Sequence, residues 1–240
     1  MRKDRRPYGV KKAYLKLQAF YTRRYIRPQF QSFGKGHNFM KPWYVEIFGE
    51  PIRLGDCATV IATPDKRVRL SIWSGDTAIR GIDIGNHCLI CPGVRISAAT
   101  EVVIGDNCML ASGAYITDSD WHGIYDRSLP IGTSKPVHLA PNVWLGDSAI
   151  VCKGVSIGEN SIIGAGAVVV GDIPPNVIAA GNPARVIREL DPDAAFKTRG
   201  DWCADPDRIY NDFDIMDMEI LKENSLFTWL RSVFFPTIHD

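Results

Sequence analysis

Residues 139–174 read LAPNVW-LGDSAI-VCKGVS-IGENSI-IGAGAV-VVGDIP, six hexads in unbroken succession. Each opens on a branched aliphatic residue: Leu139, Leu145, Val151, Ile157, Ile163 and Val169. Gly146, Gly158, Gly164 and Gly171 fall at or next to the second place, and the fifth holds Val143, Ala149, Val155, Ser161, Ala167 and Ile173. A fixed period of six is a β-helix signal. Side chains alternate faces along a strand, so the first and fifth places share one face. That face is expected to line the inside of a coil with short flat sides. The glycines are expected at the corners, where the backbone turns without a Cβ clash.

The same phase extends outward from this stretch. It holds at Leu54 and Val60, at Ile84, Ile90 and Ile96, and at Ile104, Leu110 and Ile116. It is lost through 61–83, where an irregular coil or small excursion is expected, and through 120–138, the longest interruption. Residues 33–50, rich in Gly and aromatics, read as short strands and turns leading in. Over 10–27 the spacing of Tyr14, Leu17, Tyr21 and Tyr25 predicts a helix, ended by Pro28. The expected organisation is a basic, partly helical extension over 1–50, a repeat domain over 51–188 with a loop at 118–138, and an acidic, partly helical extension over 189–240.

Opposite charge marks the two extensions, which are expected to dock on each other with Phe227, Trp229, Leu230, Phe234 and Phe235 packed beneath. Residues 2–27 carry ten Lys/Arg against Asp4 alone, and residues 191–240 carry eleven Asp/Glu against five Lys/Arg. The net charge of +1 gives no reason to expect nucleic acid. The terminal helix is expected to pack on the body with a solvated basic face; peripheral membrane contact through the extensions is the other reading. No apolar segment follows the basic N-terminus and no run reaches membrane-spanning length. A cytoplasmic protein with six free thiols is therefore expected. Cys88 and Cys91 spell C-x-x-C, but no second pair follows, and Cys88 and Cys108 occupy fifth places. They read as small core residues.

N-V-W-L-G at Asn142–Gly146, G-V-S-I-G at Gly154–Gly158 and D-I-P-P-N-V-I-A-A-G-N-P-A-R-V-I-R at Asp172–Arg188 resemble the hexapeptide-repeat acetyltransferases. The subgroup is similar to the maltose, galactoside and lipopolysaccharide-type sugar O-acetyltransferases. The resemblance covers about 50–188. It implies an all-β core, a left-handed parallel β-helix with three hexads per triangular coil. On that count 84–101, 104–121, 139–156 and 157–174 are coils, with one or two earlier. It also implies acetyl-CoA as co-substrate, a small saccharide-type acceptor, and a homotrimer with sites between subunits.

Transfer of acetyl from a thioester requires the acceptor hydroxyl to lose its proton as it attacks, a task suited to imidazole. His122 lies in the one long insertion and is the expected general base. Asp118 or Asp120 is expected to orient its ring, Asp120 being the preferred one. His138 should point outward by alternation, and His87 reads as a corner residue. As the resemblance implies, the main chain at Asp147 and Ala165 lines the pantetheine, and Arg185 and Arg188 lie near the CoA phosphates. The Trp144 indole is a candidate donor in the same groove. Val170-Gly171 and Cys91 depart from residues common in relatives, so a different acceptor is expected. No metal is expected. A γ-type zinc carbonic anhydrase shares the β-helix but wants paired His in the loop, and Thr117 and Arg127 flank His122 at that spacing instead. A non-catalytic β-helix scaffold is the other alternative.

Overall fold

The computed structural model describes residues 4–237, apart from 75, 77 and 78. A left-handed parallel β-helix of six described coils runs through the molecule. Its first face stacks Ser32–Phe33, Ile52–Leu54, Gly81–Ile84, Glu101–Ile104, Val137–Leu139 and Ser156–Ile157. The second stacks Asn38–Met40, Thr59–Ile61, Leu89–Ile90, Met109–Leu110, Trp144–Leu145, Ile162–Ile163 and Val177–Gly181, and the antiparallel strand Ala184–Glu189 closes it. The third stacks Val45–Phe48, Val68–Ile72, Arg95–Ala98, Tyr115–Thr117, Ile150–Val151 and Val168–Val169.

The first-place aliphatics stand in register from coil to coil. Ile84, Ile104, Leu139 and Ile157 form one such row, and Ile90, Leu110, Leu145 and Ile163 another. All are buried, and each contributes about 1.5–3 kcal/mol by leaving water. Fifth-place residues, including Cys88 and Cys108, fill the space beside them and are fully buried.

The structure differs from the sequence expectation at three points. Residues 32–48 are not a lead-in but the first coil, and 61–83 contributes a regular strand, with Val68, Leu70 and Ile72 buried. The departure from phase comes from the longer corners on either side of that strand. The second-place glycines do not supply the left-handed turns. At the corner between the first and second faces that conformation falls to Cys57, His87, Asn107, Asn142, Asn160 and Asn176, with φ of 56–63°. Asn adopts it at low cost. The stacked side chains bond in a ladder, Asn142 Nδ2 donating to Asn160 Oδ1 at 3.0 Å and Asn160 Nδ2 to Asn176 Oδ1 at 2.8 Å. The glycines are needed because successive coils touch there. A Cβ on Gly158 would lie 2.3 Å from the Pro175 nitrogen.

Helix α1 (Tyr8–Tyr21) continues through a wider turn, Thr22–Ile26, and a short Arg27–Gln29 turn containing Pro28. It covers the N-terminal end of the prism. Tyr14 and Tyr21 meet Trp43 edge-on at 5.7 and 5.8 Å, the Gln18 amide oxygen accepts the Lys41 N–H, and Ile26 and Phe30 are buried. After Arg188 the chain returns along the prism. Helix α2 (Arg199–Trp202) docks on the corner of the early coils through Arg199 Nε to the His87 carbonyl at 2.8 Å and Gly200 N–H to Asn107 Oδ1 at 2.7 Å.

Helices α3 (Pro206–Leu221) and α4 (Leu226–Phe234) follow. Opposite charges do bring the two extensions together. Tyr8 and Lys12 donate to Asp214 at 2.8 and 2.9 Å, and Lys11 donates to Asp217 at 2.5 Å. The Lys12 ammonium, with the Tyr8 hydroxyl beside it, holds the Asp214 carboxyl below its ordinary range. Of the five apolar residues expected beneath this contact only Trp229 is partly buried. Phe227, Leu230, Phe234 and Phe235 are exposed.

His37 sits in the first coil against Phe33, ring centroids 4.2 Å apart, and its Nδ1 accepts the Ala58 N–H at 3.2 Å. Burial pushes its imidazole below the ordinary value. A depressed folded value favours the neutral ring, so its contribution is complete above about pH 6.5. It is lost as pH falls from there through the folded value. Melting temperature should decline over this window, and less steeply in His37→Gln. Parallel slopes in the two proteins would assign the decline to other groups.

Candidate active site

The three faces meet at three corners, and the candidate residues divide between them. His122 belongs to the insertion leaving the corner between the third and first faces, after Tyr115–Thr117 and before Val137–Leu139. The insertion is a short antiparallel arm at its base. Ser119 bridges Ser134, their hydroxyls 2.7 Å apart, Asp120 N–H donates to the Thr133 carbonyl at 3.0 Å, and Gly132 N–H donates to the Asp120 carbonyl at 2.7 Å. The Trp121 indole N–H donates to the Tyr115 hydroxyl at 3.2 Å and ties the arm to the third face. His122 is exposed, and its ring makes no hydrogen bond within the described residues.

The two nearby carboxylates have different fates. Asp118 is fully buried and accepts from Ala99 N–H at 2.8 Å, Thr100 N–H at 2.7 Å, Thr100 Oγ1 at 2.9 Å and Glu101 N–H at 2.8 Å. It fastens the preceding coil's corner and makes no hydrogen bond to His122. Asp120 Oδ1 accepts from Lys153 Nζ at 2.7 Å, while Oδ2 is buried without a partner. No hydrogen bond joins Asp120 to His122. Lys153 went unnoticed in the sequence. It lies on the same corner one coil further on, a position found by omitting the insertion from the count.

His138 and His87 lie on a repeat strand and a repeat corner. His138 points out of the first face as alternation requires, its Nε2 3.7 Å from Glu101 Oε2. It borders an open groove of about 540 Å³ that also touches Ser156 and Asp172. His87 is a left-handed corner residue whose carbonyl anchors Arg199.

The expected donor residues gather elsewhere. Asp147 and Ala165 stack on the corner between the second and third faces, in consecutive coils. Gly146 permits this approach, since a Cβ there would lie 2.6 Å from the Ala165 nitrogen. The Gly166 N–H donates to the Asp147 carbonyl at 2.7 Å, whereas the Asp147 and Ala165 amides donate to nothing in the described chain. Both residues are exposed, and space is open beside Gly166. Trp144, Ile162, Ile178 and Arg188 occupy one outward row of the second face. Three strand spacings separate Trp144 from Arg188, about 14 Å. Arg185 is exposed on the same terminal hairpin, opposite Ala180. Asp147, Ala165, Trp144, Arg185 and Arg188 thus form a ridge along the second face and its edge, offering two unpaired amides, an indole and two cations, a set suited to a thioester carrying phosphates.

His122 and this ridge lie on different corners, so a single chain does not bring them together. Among the described residues no group of three His, Cys, Asp or Glu is placed to hold a metal ion, the Cys88–Cys91 pair included.

Residues 136–171 match the family model for bacterial transferase hexapeptide (six repeats), and residues 101–118 match that for the hexapeptide repeat of succinyl-transferase. Residues 101–118 and 136–171 thus carry hexapeptide repeats of the transferase type. Galactoside O-acetyltransferase of Escherichia coli is 44% identical over 111 residues, covering 45% of this chain and 54% of the relative. A putative acetyltransferase of Saccharomyces cerevisiae is 40% identical over 118 residues, covering 45% of this chain and 56% of the relative. The chain spans little more than half the length of these curated relatives. AntD, an N-acyltransferase from Bacillus cereus solved with dTDP and 3-hydroxybutyryl-CoA, shares the hexapeptide-repeat fold. It has a TM-score of 0.52 at 18% identity, over 81% of this chain and 94% of AntD. No described helix is long and apolar enough to cross a membrane.

Proposed function

We propose that the chain is an acetyl-CoA-dependent O-acetyltransferase that acts on a hydroxyl of a saccharide-type acceptor, as a homotrimer with its sites between subunits. The observation that carries this reading is the separation of the His122 arm from the Asp147–Ala165 ridge within one chain. A closed ring repeats one interface. It sets the arm of one subunit against the ridge of the next, which a monomer cannot do. The similarity to galactoside O-acetyltransferase supports the reaction class.

Acetyl-CoA supplies the acyl group as a thioester. The Asp147 and Ala165 amides hold its pantetheine, and Arg185 and Arg188 take its phosphates. His122 removes the acceptor proton as the hydroxyl oxygen attacks the acyl carbon, then returns it to the departing thiol. Asp120, with one oxygen bonded to Lys153 and the other without a partner, is the carboxylate available to receive the ring N–H when the site closes. Lys153 keeps that carboxylate in place.

A screen of sugars and nucleotide-sugars with acetyl-CoA, following free thiol, tests the reading. Thiol release that depends on one saccharide and moves acetyl to its hydroxyl is the expected result. Acetyl on an amine would assign an N-acetyltransferase instead. Failure to bind acetyl-CoA would leave the scaffold reading.

A further inference from the structure

Helix α1 has three sides. Tyr14, Gln18 and Tyr21 pack on the first coil, and Tyr8, Lys11 and Lys12 face α3. The third side carries Lys16, Leu17 and Phe20, and the wider and tighter turns that follow carry Arg23, Arg24 and Arg27, all six exposed. None of these four cations has an ion-pair partner among the described residues. The sequence contains no acidic residue between Asp4 and Glu46.

Helix α4 adds a second feature to the same end of the molecule. Leu226, Phe227, Leu230, Val233 and Phe234 recur at i, i+1, i+4, i+7 and i+8, and every one is exposed, Phe227 at 79%. The segment 224–239 also lacks acids. The Asn224 amide donates to the Asp4 and Arg6 carbonyls at 2.7 and 3.0 Å, which holds the start of α4 beside the start of α1. Acids on the intervening α3 are largely compensated. Asp214 and Asp217 bond α1, Asp212 lies 3.7 Å from Arg208, and Glu219 pairs with Lys222.

We propose that this helical cap docks on an anionic phospholipid bilayer, with the N-terminal cations among the headgroups and the α4 stripe seated at the acyl boundary. Charge complementarity selects the occupant. An apolar stripe alone would suit any greasy partner, but cations without acidic partners on the adjoining N-terminal segment fit a surface that is both anionic and apolar. Stable attachment to such a surface takes two signals, and the cap presents both. The proposal does not rest on the transferase reading.

The test is co-sedimentation of the full chain with phosphatidylcholine vesicles, with and without phosphatidylglycerol. The protein should pellet with the mixed vesicles, weakly or not at all with phosphatidylcholine alone, and less as salt is added. Neutralising Lys16, Arg23, Arg24 and Arg27 to Gln should weaken binding about fivefold for each cation. Phe227→Asp with Phe234→Asp should abolish it while leaving the mass in solution unchanged. Wild type that ignores mixed vesicles at low salt overturns the proposal. So does a drop in the oligomer's mass in the Phe variant, which would assign the stripe to a second copy of the chain.

Discussion

His122→Ala should lower turnover by roughly 10²–10⁴, the usual worth of a positioned general base. The protein should stay folded, because the arm is held at its base by Ser119–Ser134, Asp120–Thr133 and Lys135–Asp118 bonds that do not involve the ring. Affinity for acetyl-CoA should stay near normal, because the ridge at Asp147, Ala165 and Arg188 is on another corner. The loss should therefore fall on kcat, with little change in the donor KM, as when an interaction made only in the transition state is removed. Steady-state kinetics on the true acceptor measure both. Full activity in the variant would remove His122 from the chemistry. Acetylated Cys91 or Cys152 after mixing with acetyl-CoA alone would replace direct transfer with a covalent route. Burial raises both of those thiols above their ordinary values, which opposes thiolate formation.

Asp118→Ala should act on stability and not on chemistry alone. The carboxylate is buried and receives three backbone N–H groups and the Thr100 hydroxyl. Its removal leaves those donors without acceptors inside the fold, at a cost of about 3–5 kcal/mol. Asp118→Asn should also be costly but less so, since its amide oxygen can take the Oδ2 place and keep three bonds while its NH2 group faces the Ala99 N–H. Melting temperature at fixed protein concentration should fall well below wild type in both. Because Asp118 also opens the His122 arm, activity should fall with it. A variant that melts like wild type would show that the corner at Ala99–Glu101 is held by other contacts.

The later coils were legible because one inward aliphatic per strand is all that the interior of a coil demands. The first coil was not, because Phe39 and Val45 close it together with residues from outside the repeat, Ile26 and Phe30. Its sequence keeps the six-residue phase only from Phe33 to Phe39, with aromatics in place of aliphatics, and loses it before Ile47. The insertion announced itself as a loss of phase, which placed His122 on an arm but left its neighbours open. Asp118 belongs to the last strand's corner and is used by the coil before it, a contact between consecutive coils that only the stacking register reveals. Lys153 meets Asp120 across 33 residues for the same reason. Charge predicted that the extensions meet. It could not predict which way α4 turns its apolar side, since that depends on packing volume above α1.

Acetyl-CoA titrated calorimetrically into wild type, His122→Ala and Ala165→Arg, with mass followed by light scattering, tests the composite site most directly. A trimer should bind one acetyl-CoA per chain, His122→Ala should bind it equally well, and Ala165→Arg should lose binding while remaining a trimer. A monomer that binds acetyl-CoA with Ala165→Arg undisturbed would contradict a donor ridge shared between subunits, as would wild type that binds none.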